Sequence, residues 1–174
     1  MNKIKKNKGT LMEKIQNLYD LLLNRLRYLY DGEVQQLDFL ENLIELPDSV
    51  DLQDNIDYQI RETVQQKNRL EKIFTHLNEP SENGPCLGIR AIIQETKNIT
   101  EACKTKPACD AAIITAIQHI NHYEIAGYGT AIAYAKILNK HNIAGILLDS
   151  LREEKTADME LSDLAIEHVN LEAK

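Results

Sequence analysis

Residues 11–44 read LMEKIQNLYDLLLNRLRYLYDGEVQQLDFLENLI, and this stretch decides the fold class. Leu11, Ile15, Leu18, Leu22, Leu26, Leu29, Glu33, Leu37, Leu40 and Ile44 recur at steps of three and four, which puts them on one face of a helix. Every member of that stripe is Leu or Ile except Glu33. Thr10 and Glu13 have capping-box spacing at its start, and Leu46-Pro47 stops it near Glu45. The rest of the chain agrees. With 7 Gly, 4 Pro, 2 Phe and no Trp in 174 residues, it lacks the turn punctuation and aromatic strands of a sheet protein. An all-α protein is expected.

Beyond this first helix, Asp48, Ser49 and Asp51 are N-cap candidates for a second one reaching about Asn78. The segment 78–85 holds two prolines and a glycine and reads as a loop. Pro85 fits the first position of a shorter helix from about Cys86 to Cys103. After a break at 104–106, Pro107 opens a fourth helix to about Asn139. Asn142 can cap the last, which should fray over 169–174. Residues 1–9 read as a mobile basic tail and 10–174 as one helical domain. Short links make consecutive helices antiparallel neighbours, so the shorter helix belongs to the long link between two hairpins. The expected architecture is a four-helix bundle with an additional shorter helix between the second and third long helices.

A net charge of −7 and a pI near 5.3 argue against nucleic acid or an anionic membrane as partner. The basic start lacks a following apolar segment, so no secretory signal is expected, and the apolar runs are too short to cross a bilayer. Cys86, Cys103 and Cys109 are odd in number and show no CxxC spacing, which fits free thiols in a reducing cytoplasm. Zinc at Cys103 and Cys109 is the less favoured reading.

Glu33 is not an isolated exception. In the second helix, between Leu52/Ile56 and Leu70/Ile73/Leu77, the stripe becomes Gln59, Glu62 or Thr63, and Gln66. In the fourth, Ile114 and Ile117 give way to Asn121 and Glu124, then Tyr128 and Ala131. In the last, Ile143, Leu147 and Leu151 give way to Glu154 and Asp158, then Leu161 and Ala165. Packed antiparallel, Glu33, Glu62, Glu124, Glu154 and Asp158 can converge at mid-bundle. Carboxylates so close repel, and several would hold protons unless a cation neutralised them. Two divalent metals on such a cluster are one reading, since carboxylate oxygens suit iron, manganese and similar ions. A solvated groove, or a core held by buried Gln and Asn hydrogen bonds, is the other.

Leu29-Tyr30-Asp31-Gly32-Glu33, Glu62-Thr63 with Gln66 and Arg69-Leu70, and above all His122-Tyr123-Glu124-Ile125-Ala126-Gly127-Tyr128-Gly129-Thr130 resemble the YciE/YciF group of ferritin-like bacterial proteins. Glu153-Glu154-Lys155 with Asp158 fits the same group, and the similarity spans about Thr10 to Ala165. The resemblance implies a ferritin-like bundle, often dimeric, with a di-iron site and stress-associated expression. Two departures matter: Gln59 stands where the family usually has His, and Asn121 where it has Glu. Both replacements are neutral and are weaker iron ligands.

The leading expectation is a cytoplasmic homodimer with a di-metal or degenerate di-metal centre holding two Fe ions, or Mn or another divalent metal. Glu33, Glu62, Glu124, Glu154 and Asp158 are the candidate ligands, with Glu62 and Glu154 bridging. Gln59 and Asn121 are weak ligands or hydrogen-bond donors to the carboxylates. With iron bound, the chemistry would be Fe(II) oxidation by oxygen or peroxide, and Tyr128 is the candidate redox neighbour. The competing expectation is a metal-free, non-catalytic helical dimer serving as a stress-related interaction module. His122 lies one residue off the stripe, which favours a hydrogen-bonding or exposed imidazole over a ligand. Gly127 and Gly129 are expected to allow close helix packing, and Gly32 to make room beside Glu33.

Overall fold

The computed structural model describes residues 14–81 and 84–174. Six α-helices follow in order: α1 Leu18–Leu43, α2 Val50–Leu77, α3 Leu87–Ala102, α4 Lys106–Ile137, α5 His141–Leu164 and the short α6 Asn170–Glu172. A π-helical turn, Ala165–Val169, joins the last two. α1 pairs with α2 and α4 with α5, while α1 also packs on α4 and α2 on α5, closing a four-helix ring. α3 lies outside it, against α4 and α1.

Two apolar clusters fix the helix directions. One holds Phe39, Leu40, Leu52, Ile56, Ile113, Ile117, Ile120 and Leu161. The other holds Leu22, Leu26, Leu29, Leu70, Ile73, Tyr128, Ala131, Ile143 and Leu147. α1 and α5 therefore run parallel, and α2 and α4 run opposite to them. α2 ends at one pole and α4 starts at the other, so the connection must travel the length of the bundle. α3 is how it does so. Polar side chains of α1 pin this crossover. Arg27 Nε donates to Pro80 O (3.2 Å), the Cys86 amide donates to Asp31 Oδ2 (2.7 Å), and Gln35 donates to Cys86 O (3.1 Å).

Most helix ends follow local chemistry. Ser49 caps α2, accepting from Leu52 N (3.3 Å), and Asn78 closes it in the left-handed region at φ 54°. Four boundaries differ from expectation. The Thr10–Glu13 capping box lies outside the described residues, as does the basic tail. Residues 14–16 are not helical, and Asn17 caps α1 by accepting from Asp20 N (3.0 Å). Pro85 precedes the cap position Cys86 instead of opening α3. Asn142 does not cap α5: left-handed Asn139 (φ 56°) ends α4 so abruptly that α5 already begins at His141. The C-terminal segment stays helical through the π turn because Val169, 2% exposed, is anchored in the first cluster.

Candidate functional site

Between the two apolar clusters lies a polar layer built by all four ring helices. α1 supplies Glu33 and Gln36, α2 supplies Gln59, Thr63 and Gln66, α4 supplies Asn121 and Glu124, and α5 supplies Ser150 and Glu154, all buried. Burying such groups is unfavourable unless they are bonded, protonated or bound to a cation. Much of the layer is bonded. The Tyr128 hydroxyl donates to Glu33 Oε1. Gln36, its amide nitrogen turned to the carboxylate, donates to Glu124 Oε1 (3.1 Å) and Oε2 (2.6 Å). Gln66 Nε2 donates to Glu154 Oε1 (2.8 Å) and reaches Glu153 Oε2 (3.2 Å). Arg69 forks onto Glu153 at 2.5 and 2.6 Å and edges the layer without entering it.

Burial, reinforced by mutual repulsion, raises the three core carboxyls. Desolvation and then the Glu154 charge push Glu33 well up. Desolvation and then Glu33 push Glu124 well up. Glu154 is pushed up to about 8 by desolvation, with Gln66 opposing. Contact with Glu154 raises Glu124 further, while contact with Glu124 holds Glu154 down. Tyr128 is likewise raised, by burial and by the Glu33 charge.

Of the five carboxylates expected to converge, Glu33, Glu124 and Glu154 do. Glu62 does not. It is half-buried on the flank beside the Tyr58 hydroxyl, and the buried α2 residue at that level is Thr63. Asp158 also stays outside, where its Oδ1 accepts from Gln118 Nε2 (3.2 Å) and its Oδ2 sits 3.3 Å from exposed His122. The buried α5 residue there is Ala157. Gln59 is interior but donates to Asn55 Oδ1 (2.7 Å). Asn121 is interior with both amide atoms lacking a hydrogen-bond partner. Gln36 and Ser150 were missed by the sequence reading. Gln36 was legible, since a 3.6-residue turn carries the stripe from Glu33 to Gln36 and Leu40, leaving Leu37 half-buried.

The donor chemistry can be tested against a metal. Glu33 Oε2, Glu154 Oε2, Gln66 Oε1 and Asn121 Oδ1 are buried oxygens that accept no hydrogen bond. An all-oxygen set with three carboxylates suits one hard divalent cation. A second ion would need Glu62 and Asp158 to turn inward. Among the described residues, no group of three or more His, Cys, Asp and Glu is arranged to hold a metal ion. The core carboxylates are turned toward Tyr128, Gln36 and Gln66 instead.

Comparison with known proteins places this architecture. Residues 17–174 match the family model described as "Domain of unknown function (DUF892)". Protein YciF of Escherichia coli K12 is 30% identical over 161 residues, 92% of this chain and 97% of its own. The crystal structure of the E. coli stress protein YciF superposes with a TM-score of 0.85 over 90% of this chain and 99% of that one. YcfI of Rhodopseudomonas palustris, described provisionally as a structural protein, matches at 36% identity. Its TM-score is 0.83 over 87% of this chain and 97% of that one. Across nearly its whole described length, then, the chain belongs to the DUF892 family, of the YciF type.

Proposed function

We propose that this protein is a YciF-type ferritin-like protein with a degenerate metal centre. Glu33, Glu124 and Glu154 take a divalent cation, iron first and manganese second, and Glu62 turns in from the flank to complete the set. The observation that carries this reading is the burial of three carboxylates from three helices, two of which, Glu33 and Glu154, keep an oxygen that accepts no hydrogen bond. Bound iron would supply Fe(II) oxidation by oxygen or peroxide. The chain supplies the rest. Gln36 and Gln66 hold the Glu124 and Glu154 carboxyls, and Tyr128 holds Glu33 at Oε1. The apolar clusters exclude water from both ends. Burial raises all three carboxyls, so a cation that enters must displace protons, and binding strengthens as pH rises.

A second reading is favoured by the donors already turned to these carboxyls. With the raised carboxyls holding protons and Tyr128, Gln36 and Gln66 donating to them, much of the layer is satisfied without an ion, giving a metal-free interaction module. Calorimetric titration of chelator-treated protein with Fe(II) under nitrogen, and with Mn(II), separates the two. The metal reading expects saturable binding, lost in Glu33→Ala/Glu154→Ala, and tighter iron binding in Gln59→His/Asn121→Glu. No heat of binding and an unmoved melting point with either ion would leave the metal-free module.

A further inference from the structure

At the pole opposite the α2–α3 loop, the α3–α4 junction holds a pair of cysteines outside the polar layer. Cys103 caps the C-terminus of α3, half-buried, with its Sγ donating to Ile99 O (3.3 Å). Cys109 lies in the first turn of α4, 6% exposed, its amide bonded to Thr105 O (3.1 Å). Cys109 belongs to the first apolar cluster and Cys103 packs against it. The Cys103 thiol lies near enough to that of Cys109 to raise it, and both pack in the same apolar cluster at the junction. Two thiols brought to the same short turn are placed to pair as a disulfide when one of them is oxidised. The third cysteine cannot substitute. Cys86 starts the same helix that Cys103 ends, about 25 Å away along its axis.

We propose that Cys103 and Cys109 form a reversible intrachain disulfide when the protein meets a hydroperoxide, making the α3–α4 junction a two-electron redox site. The more accessible Cys103 sulfur attacks the peroxide. The O–O bond breaks, an alcohol or water leaves, and Cys103 becomes a sulfenic acid. Cys109 then attacks that sulfur: an S–S bond forms, the S–O bond breaks, and hydroxide departs with the Cys109 proton as water. Two thiols lose two electrons and the peroxide bond gains them. Burial, then Cys103 and Asp110, raise the Cys109 thiol, which suits it to the second step. The closed loop is short, so it locks the junction more than it stabilises the fold.

The test is equimolar hydrogen peroxide on the reduced full chain, read by thiol titration, intact mass and tryptic mapping. Trypsin cuts after Lys104, so only a disulfide keeps the Cys103 and Cys109 peptides together. The expected result is loss of two of the three thiols, a mass lower by two hydrogens, the Cys103–Cys109 linked peptide, and full recovery with dithiothreitol. Cys86→Ser should behave like the parent, and Cys103→Ser should lose the linkage. Retention of all three thiols, oxygen addition without a crosslink, or disulfides only between chains would overturn the proposal. The peptide map of the unmutated protein decides the matter even if a serine variant folds poorly.

Discussion

Glycines show how little a residue's identity says before its neighbours are known. A Cβ at Gly127 would lie 2.9 Å from Leu29 Cδ2, and one at Gly32 would lie 2.8 Å from Ile89 Cδ1, so both serve close packing as expected. Gly129 does not, since a Cβ there meets nothing within 4 Å. Gly129→Ala should therefore stabilise the protein by about 0.5–1 kcal/mol, the helix-propensity gain over glycine, seen as a higher urea midpoint. Gly88→Ala should lower it, because the new carbon would fall 2.4 Å from the Tyr123 ring. Tyr128 is also informative. Tyr128→Phe removes the hydroxyl that serves Glu33 Oε1, while Oε2 already has no donor, and should cost about 1–3 kcal/mol in chemical denaturation.

At the scale of elements, side chains from one helix finish the ends of another. Buried Asp110 of α4 accepts from the amides of Asp48 (3.1 and 3.1 Å) and Ser49 (2.9 Å), tying the start of α2 to α4. A carboxylate at a helix N-terminus also favours the helix dipole. Asp110→Ala should leave these amides unpaired, cost about 1–3 kcal/mol, and accelerate hydrogen exchange at 48–52 ahead of the rest of α2. The local caps, Ser49 among them, could be named from sequence. Asp110 could not, because it lies 61 and 62 residues from the amides it serves.

For the whole molecule, the layer makes stability depend on pH in a definite direction. Glu33, Glu124 and Glu154 have folded-state values above those of the unfolded chain. Folding therefore takes up protons, and stability falls as pH rises from the ordinary carboxylate range through about 8, where Glu154 titrates. The metal-free protein should melt at lower temperature at pH 9 than at pH 6, and Glu33→Gln/Glu154→Gln should flatten that dependence. A bound dication should reverse the trend, since it favours the ionised carboxylates. A pH-independent melting point in metal-free protein would contradict the buried cluster. Light scattering tests the homodimer: twice the chain mass is expected, and a monomer at micromolar concentration would remove it.

By itself the sequence determined the all-α class, the four long helices, the crossover helix and the polar level at mid-bundle. These follow from helical periodicity and from stop signals that act within a few residues. Only the tertiary structure decided which acids are interior. Glu62 and Thr63 are adjacent, about 100° apart around α2. Neither spacing nor composition says which of them faces α5. Packing chose Thr63, and at the facing position on α5 it chose Ala157 over Asp158. A charged side chain at a helix edge reaches water at far lower cost than it enters the core, so the helices rotated until Glu62 and Asp158 lay on the flanks. Glu33, Glu124 and Glu154, lying on the stripe itself, had no such exit.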